Sequence, residues 1–232
     1  MSDRSSPAGL QAVIFDFDGT LVDSYEAIAA SVNHVRSCHG LPSLPTDEVR
    51  RHVGRGPVNL LRQTVPDPDI EQDLARYRAH HPSVLRSGTR LLPGVAEILP
   101  ILKSAGLRLG ICSNKPAIFT RQLLEILNLT TLIDAVVGPE DAPRIKPAPD
   151  MLLAILSSLG VRSDEALYVG DMVVDIETGR AAGVPVWVVP TGSDTPEALR
   201  AAQPDRMLSH FADLTGLAHR GVSRSGRARP FP

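Results

Sequence analysis

VIFDFDGTLVDS, Val13 to Ser24, is the stretch on which the reading of this chain turns. Val13, Ile14 and Phe15 begin like a buried strand, and the run then meets two carboxylates, Asp16 and Asp18, followed by Gly19 and Thr20. Desolvating one charge costs several kcal/mol, so a strand that runs into two of them needs a reason. Residues i and i+2 of a strand point to one face, so Asp16 and Asp18 are expected side by side, one raising the pKa of the other. A divalent cation relieves such repulsion, and a protonated partner serves as general acid. Gly19 permits a sharp turn, and Thr20 brings a hydroxyl and a backbone donor to the same place. Acidic oxygens of this kind suit a hard cation such as Mg²⁺.

Further along, LRLGICS (107–113), DAVVG (134–138), ALYVGD (166–171) and VPVWVV (184–189) repeat the apolar character of QAVIFDF (11–17). Runs that are apolar almost throughout suit strands covered on both faces, as in a parallel sheet. Between them lie helical patterns: VAEILPILKSAG after Pro93-Gly94, AIFTRQLLEILNL after Pro116, and DMLLAILSSLG after Pro149. Gly106 and Gly160 stop the first and third, and Pro100 is expected to bend the first. Strands alternating with helices predict an α/β fold with a doubly wound parallel sheet.

Residues 24–91 break the alternation. SYEAIAASVNHVRSCHG, TDEVRRHV, GPVNLLRQTV and DIEQDLARYRAHHPSVL are all helical in period, with turns at Pro42, Pro45, Pro66 and Pro68. They predict a small all-helical insertion after the first strand. The α/β core is then residues 1–23 and 92–218. The last stretch, 219–232, is basic and rich in Gly, Ser and Pro, and is expected to be a disordered tail. No internal repeat is present.

In open α/β sheets ligands gather at the carboxyl ends of the strands. The first strand ends in Asp16 and Asp18 and the second in Ser113 and Asn114. The third leads through a loop to Lys146, and the fourth ends in Asp171, with Asp175 four residues later. Each alone has a structural reading: Asp171 or Asp175 at a helix N-terminus, Lys146 in a solvated loop, Ser113 in a turn. Together they fall where this fold puts its ligand.

Composition narrows the setting. The chain of 232 residues carries a formal charge of −2, which gives no reason to expect nucleic acid. Cys38 and Cys112 lie far apart, as reduced thiols in a cytoplasm would. No apolar stretch reaches the ~20 residues that span a bilayer, and MSDRSSPAG lacks the apolar centre of a signal peptide. Lysine occurs only at 103, 115 and 146, with arginine supplying the other 21 positive charges, so each lysine is worth inspecting.

DFDGT at 16–20, SN at 113–114, KPAPD at 146–150 and GDMVVD at 170–175 appear in the order of the haloacid dehalogenase-like superfamily. The likeness covers about residues 11–215, and the helical insertion resembles that superfamily's α-helical cap. VIFDFDGTLVDS followed by YEAI is most similar to phosphoglycolate phosphatase-like members. The resemblance implies a Mg²⁺-dependent phosphatase acting on a small phosphorylated metabolite. Asp16 is then the nucleophile and Asp18 the general acid and base. Asp16, the Asp18 carbonyl and Asp171 hold the metal, with Asp175 in support. Ser113, the Asn114 backbone and Lys146 bind the phosphoryl group, with Gly19 and Thr20 beside it. GRG at 54–56 resembles the subclass's specificity loop, which makes Arg55 a substrate-recognition candidate and Tyr25 a weaker one. The second Asp argues against dehalogenation, and the absence of lysine from 24–91 against phosphonate cleavage. His34, His39 and His52 leave a phosphomutase reading open. Phosphatases of sugar phosphates, amino-sugar acids included, and pyrophosphatases stay alongside phosphoglycolate. Outside this class stand a receiver-like phosphoacceptor and a non-catalytic binding module. The chain is expected to be a monomer or homodimer with no nucleic-acid or membrane partner.

Overall fold

The computed structural model describes residues 9–221, with side chains through residue 218. The opening stretch supplies β1 (Ala12–Phe15) and then β2 (Val22–Asp23). Four helices follow, α1 (Tyr25–Cys38), α2 (Thr46–Arg50), α3 (Gly56–Thr64) and α4 (Ile70–Val84), before β3 (Arg90–Leu91). The two-residue strands β2 and β3 pair antiparallel, and Arg90 forms an ion pair with Asp23 across them. The chain thus leaves for the helical segment and returns from it through one ribbon.

Beyond it run α5 (Val95–Ser104), β4 (Arg108–Cys112), α6 (Ala117–Ile126), β5 (Ala135–Val137), α7 (Asp150–Leu159) and β6 (Ala166–Gly170). The last elements are α8 (Val173–Ala182), β7 (Val186–Val188), α9 (Pro196–Ala201), β8 (Arg206–Met207) and α10 (Thr215–Gly221). The main sheet has the order β5-β4-β1-β6-β7-β8, parallel throughout. This is the doubly wound α/β fold that the alternation of strand and helix predicts. Helix α10 carries the chain through residue 221, so the first three residues of the expected tail are helical. The remainder of that stretch, 222–232, lies outside the described residues.

Side-chain alternation divides the strands between two cores. Val13 and Phe15, Leu109 and Ile111, and Leu167 and Val169 face one side, with α5, α6 and the helical segment. Ala12 and Ile14, Tyr168, Val186 and Val188 face the other, against Met151, Leu152 and Ile155 of α7 and Ile176 of α8. Both faces are covered, which is why the strands read as unbroken apolar runs. Gly110 sits where Ile155 and Ile14 leave no room for a larger residue, a Cβ falling 2.7 and 3.0 Å from them. Pro100 lies inside α5, which continues past it, and Gly160 ends α7 with a left-handed φ of 62°.

Candidate active site

At the carboxyl edge of the sheet the order β4-β1-β6 brings three strand ends together, and Asp16, Lys146, Asp171 and Asp175 meet there. Strand β1 ends at Phe15, so Asp16 is the first residue past it. Lys146 reaches in from the loop after β5, its Nζ 3.0 Å from Asp16 Oδ1, 2.7 Å from Asp175 Oδ1 and 3.0 Å from the Tyr168 hydroxyl. Burial works against this ammonium, but Asp16 and Asp175 outweigh it and hold the group above the usual lysine range.

Asp175, in the first turn of α8, takes the helix N-terminal position that was one reading of it and meets a lysine as well. Its Oδ2 accepts from the backbone N–H groups of Asp171 and Met172, 3.1 and 3.0 Å away, while Oδ1 takes Lys146 and lies 2.9 Å from the Tyr168 hydroxyl. The carboxylate both caps the helix and fixes the lysine.

Asp171 accepts the Thr20 hydroxyl on Oδ1, so Thr20 orients a carboxylate. Its Oδ2 is buried with no hydrogen-bond partner, whereas Asp16 Oδ1, also buried, faces the Lys146 ammonium. Gly19, at φ 88°, and Gly192 crowd that free oxygen: a Cβ would stand 2.4 Å from it at Gly19 and 1.6 Å at Gly192. Carboxylate oxygens of Asp16, Asp171 and Asp175 lie within 4.8 Å of one another. Burial lifts Asp16 to about 6, with Lys146 holding it down and Asp175 pushing it up. Burial, then the charges of Asp16 and Asp175, push Asp171 well above the carboxylate range. An orphaned oxygen on Asp171, beside the Asp16 and Asp175 carboxylates, gives an all-oxygen donor set that fits a hard divalent cation.

Asp18 departs from expectation. It is not part of the acidic group around Asp16, and the strand period that predicts their pairing does not apply, because β1 ends at Phe15, before both residues. Its carboxylate accepts the Ser24 hydroxyl and lies 3.1 and 3.2 Å from Lys115 Nζ. The upward shift expected within the pair is found on Asp16, but its cause is burial and Asp175.

Ser113 and Asn114 follow β4 and are both buried. The Asn114 amide donates to the carbonyls of Gly54, at 2.8 Å, and Lys146, at 3.2 Å, and its Oδ1 accepts the Lys146 N–H at 3.0 Å. That side chain pins the lysine loop and reaches the helical segment, leaving its backbone for a ligand. Gly54 and Gly56 line a cavity with Asp16, Asp18, Ser113 and Asn114. Arg55 between them is exposed and lies instead on a separate depression with His52 and Asp194, so the structure does not bring it to the carboxylates. Tyr25 is buried under the Arg50 guanidinium, 4.4 Å from its ring centroid, and its hydroxyl packs against Gly19. His34 stacks on His80 and His39 pairs with Asp73.

A family model described as haloacid dehalogenase-like hydrolase matches residues 13–189. The chain belongs to the haloacid dehalogenase-like hydrolases. A phosphoglycolate phosphatase of Rhodospirillum rubrum is 39% identical over 193 residues, covering 78% of this chain and 80% of its own. One from Salmonella choleraesuis is 32% identical over 237 residues, covering 90% and 94%. Among solved structures, a haloacid dehalogenase-like hydrolase from Bacteroides fragilis superposes with a TM-score of 0.82 at 30% identity, covering 88% of this chain and 99% of that one.

Within this hydrolase several site residues went unseen in the sequence. Tyr168 reads as one more apolar strand residue, yet its hydroxyl joins Lys146 to Asp175. Arg50 of α2 donates to the Thr191 and Gly192 carbonyls, 2.9 and 2.7 Å away, tying the helical segment to the loop that encloses Asp171. His81 and Tyr77 of α4 line the cavity opposite Asp18. Lys115, buried beside Asp18, had one signal: it is one of only three lysines. No helix among the described residues is long and apolar enough to cross a membrane.

Proposed function

We propose that the protein is a Mg²⁺-dependent phosphatase that hydrolyses a small phosphomonoester, phosphoglycolate first, by way of a phosphoryl group carried on Asp16. The observation that carries this reading is the arrangement at Asp16. The Asp16 carboxylate is buried and ion-paired with Lys146 beside two further carboxylates, of which Asp171 keeps an oxygen without a hydrogen bond, and another acid, Asp18, contacts Lys115 instead. Asp171, through its unpartnered oxygen, and Asp16 would hold Mg²⁺, with Asp175 in support because both its oxygens are committed to Lys146 and the backbone. When bound, Mg²⁺ supplies positive charge that offsets the phosphoryl oxygens and the carboxylate repulsion.

Asp16 attacks phosphorus, the bond to the ester oxygen breaks, and Asp18 gives that oxygen its proton. Asp18, now ionised, takes a proton from water, which attacks phosphorus and frees Asp16 and phosphate. Lys146 stays against Asp16 throughout, and Ser113 with the Asn114 backbone holds phosphoryl oxygens near the start of α6. The transition state is loose and highly charged, so positioning and positive charge are the main requirements.

The names of the relatives support phosphoglycolate as substrate, and the helical segment 24–91 acts as a cap that keeps the substrate small. Free Cys38 and Cys112 accord with a cytoplasmic setting. Phosphate release from a panel of phosphorylated metabolites, with Mg²⁺ and with EDTA, tests the reading. Asp16→Asn is expected to lower turnover at least about 10³-fold. Near-normal release by that variant would sink the mechanism.

A further inference from the structure

Lys115 is buried and lines the cavity that holds Asp16 and Asp18. Its position is fixed from below: Asn114 is pinned to the lysine loop, and Pro116 stands at the start of α6. A chain that uses arginine for 21 of its 24 basic residues has placed a compact ammonium here. The carboxyl group in contact with that ammonium is Asp18, at 3.1 and 3.2 Å, longer than the ~2.7–2.9 Å of well-formed charge-assisted hydrogen bonds. An ammonium has three donors and takes a monovalent anion as a point charge. The rest of the cavity wall explains little of this cation. Ile28, Pro57, Leu60 and Phe119 are apolar. His81 is held through Nδ1 on Ser31, 2.9 Å away, and burial and Lys115 keep it neutral, so it offers no second cation to the cavity.

We infer that Lys115 reads the alcohol half of the substrate, pairing with a carboxylate on the leaving group. This rests on the phosphatase reading above and narrows it to phosphate esters of small hydroxy acids. A leaving group with a second phosphate needs several donors in a fork, and the forked candidate, Arg55, lies outside the cavity. A sugar needs many polar partners, and this wall is mostly apolar.

The test compares phosphoglycolate with propyl phosphate, an ester of similar size without the charge, in the wild type, Lys115→Met and Lys115→Arg. The readout is the ratio of the two kcat/KM values, because loss of the Asp18 contact lowers both. The wild type is expected to favour phosphoglycolate by at least about tenfold, as suits a desolvated charge pair. Lys115→Met brings the ratio to near one, and Lys115→Arg keeps part of it. Lys115→Gln replaces Met where Met does not fold. A wild-type ratio near one overturns the inference, as does an unchanged ratio in Lys115→Met, which would confine Lys115 to Asp18. A wild type that hydrolyses neither ester, nor anything else in the panel, defeats the phosphatase reading itself and this inference with it.

Discussion

His81 shows how much a single residue commits the fold to neutral pH. The ring is buried between Tyr77, stacked at 4.9 Å, and Phe119, edge-on at 4.8 Å, with Ser31 on Nδ1 and no partner on Nε2. Burial, then the charge of Lys115, pushes its pKa from the ordinary 6.5 down to about 2. The unfolded chain therefore binds a proton that the folded one refuses once the pH falls below 6.5. The direction is a loss of stability with falling pH, approaching roughly 1.4 kcal/mol per pH unit from this group. Urea unfolding of wild type and His81→Gln from pH 7 to pH 4.5 measures it. The variant is expected to be less stable at pH 7 but to lose less on acidification, and parallel curves would assign the slope elsewhere.

Elements do their work here at their ends. Strand β6 and helix α8 meet in Asp171 and Asp175, one facing the cluster and the other joining lysine to helix cap. The loop after β7 then closes over Asp171 with Gly192, where a Cβ would stand 1.6 Å from Oδ2. A side chain there cannot leave that oxygen in place, while the sheet beneath loses nothing. Gly192→Ala is expected to weaken Mg²⁺ about tenfold or more, the scale on which displaced supports of a metal ligand act. Calorimetric titration with Mg²⁺ alone checks this. Unchanged affinity with an unchanged melting temperature would show that Asp171 is not a ligand.

On the scale of the whole molecule, side-chain hydrogen bonds link the helical segment to the α/β core around the site, among them one from Ser193 to the Tyr25 hydroxyl. Asn114 reaches out to Gly54, and Arg50 reaches in to Thr191 and Gly192. Arg50 also lies over Tyr25, at the start of α1. Hydrogen bonds from a charged group contribute about 1.5–3 kcal/mol, enough to bias the segment toward the core without locking it there. Arg50→Ala is expected to lower kcat/KM roughly tenfold while global stability, read by urea unfolding, changes by no more than about 1 kcal/mol. Wild-type kinetics in that variant would remove Arg50 from any part in closure.

The sequence alone determined the parallel sheet, because both faces of each strand are buried and nearly every residue had to be apolar. It also placed Asp16, Asp171, Ser113 and Lys146 on one edge, since chain topology decides where strand ends lie. Strand β8 and the β2–β3 ribbon were beyond it: two-residue strands leave no period to read. Only the tertiary structure decided which charges pair. Asp16 and Asp18 are two residues apart yet meet different lysines, Lys146 and Lys115, because the strand ends at Phe15, before both of them. Lys115 meets Asp18 across 97 residues of sequence. Arg55 sits in the glycine-flanked loop the sequence singled out, but faces away from the cavity its neighbours line. Local pattern follows from burial, which each residue carries with it; pairing follows from distances that only the folded chain sets.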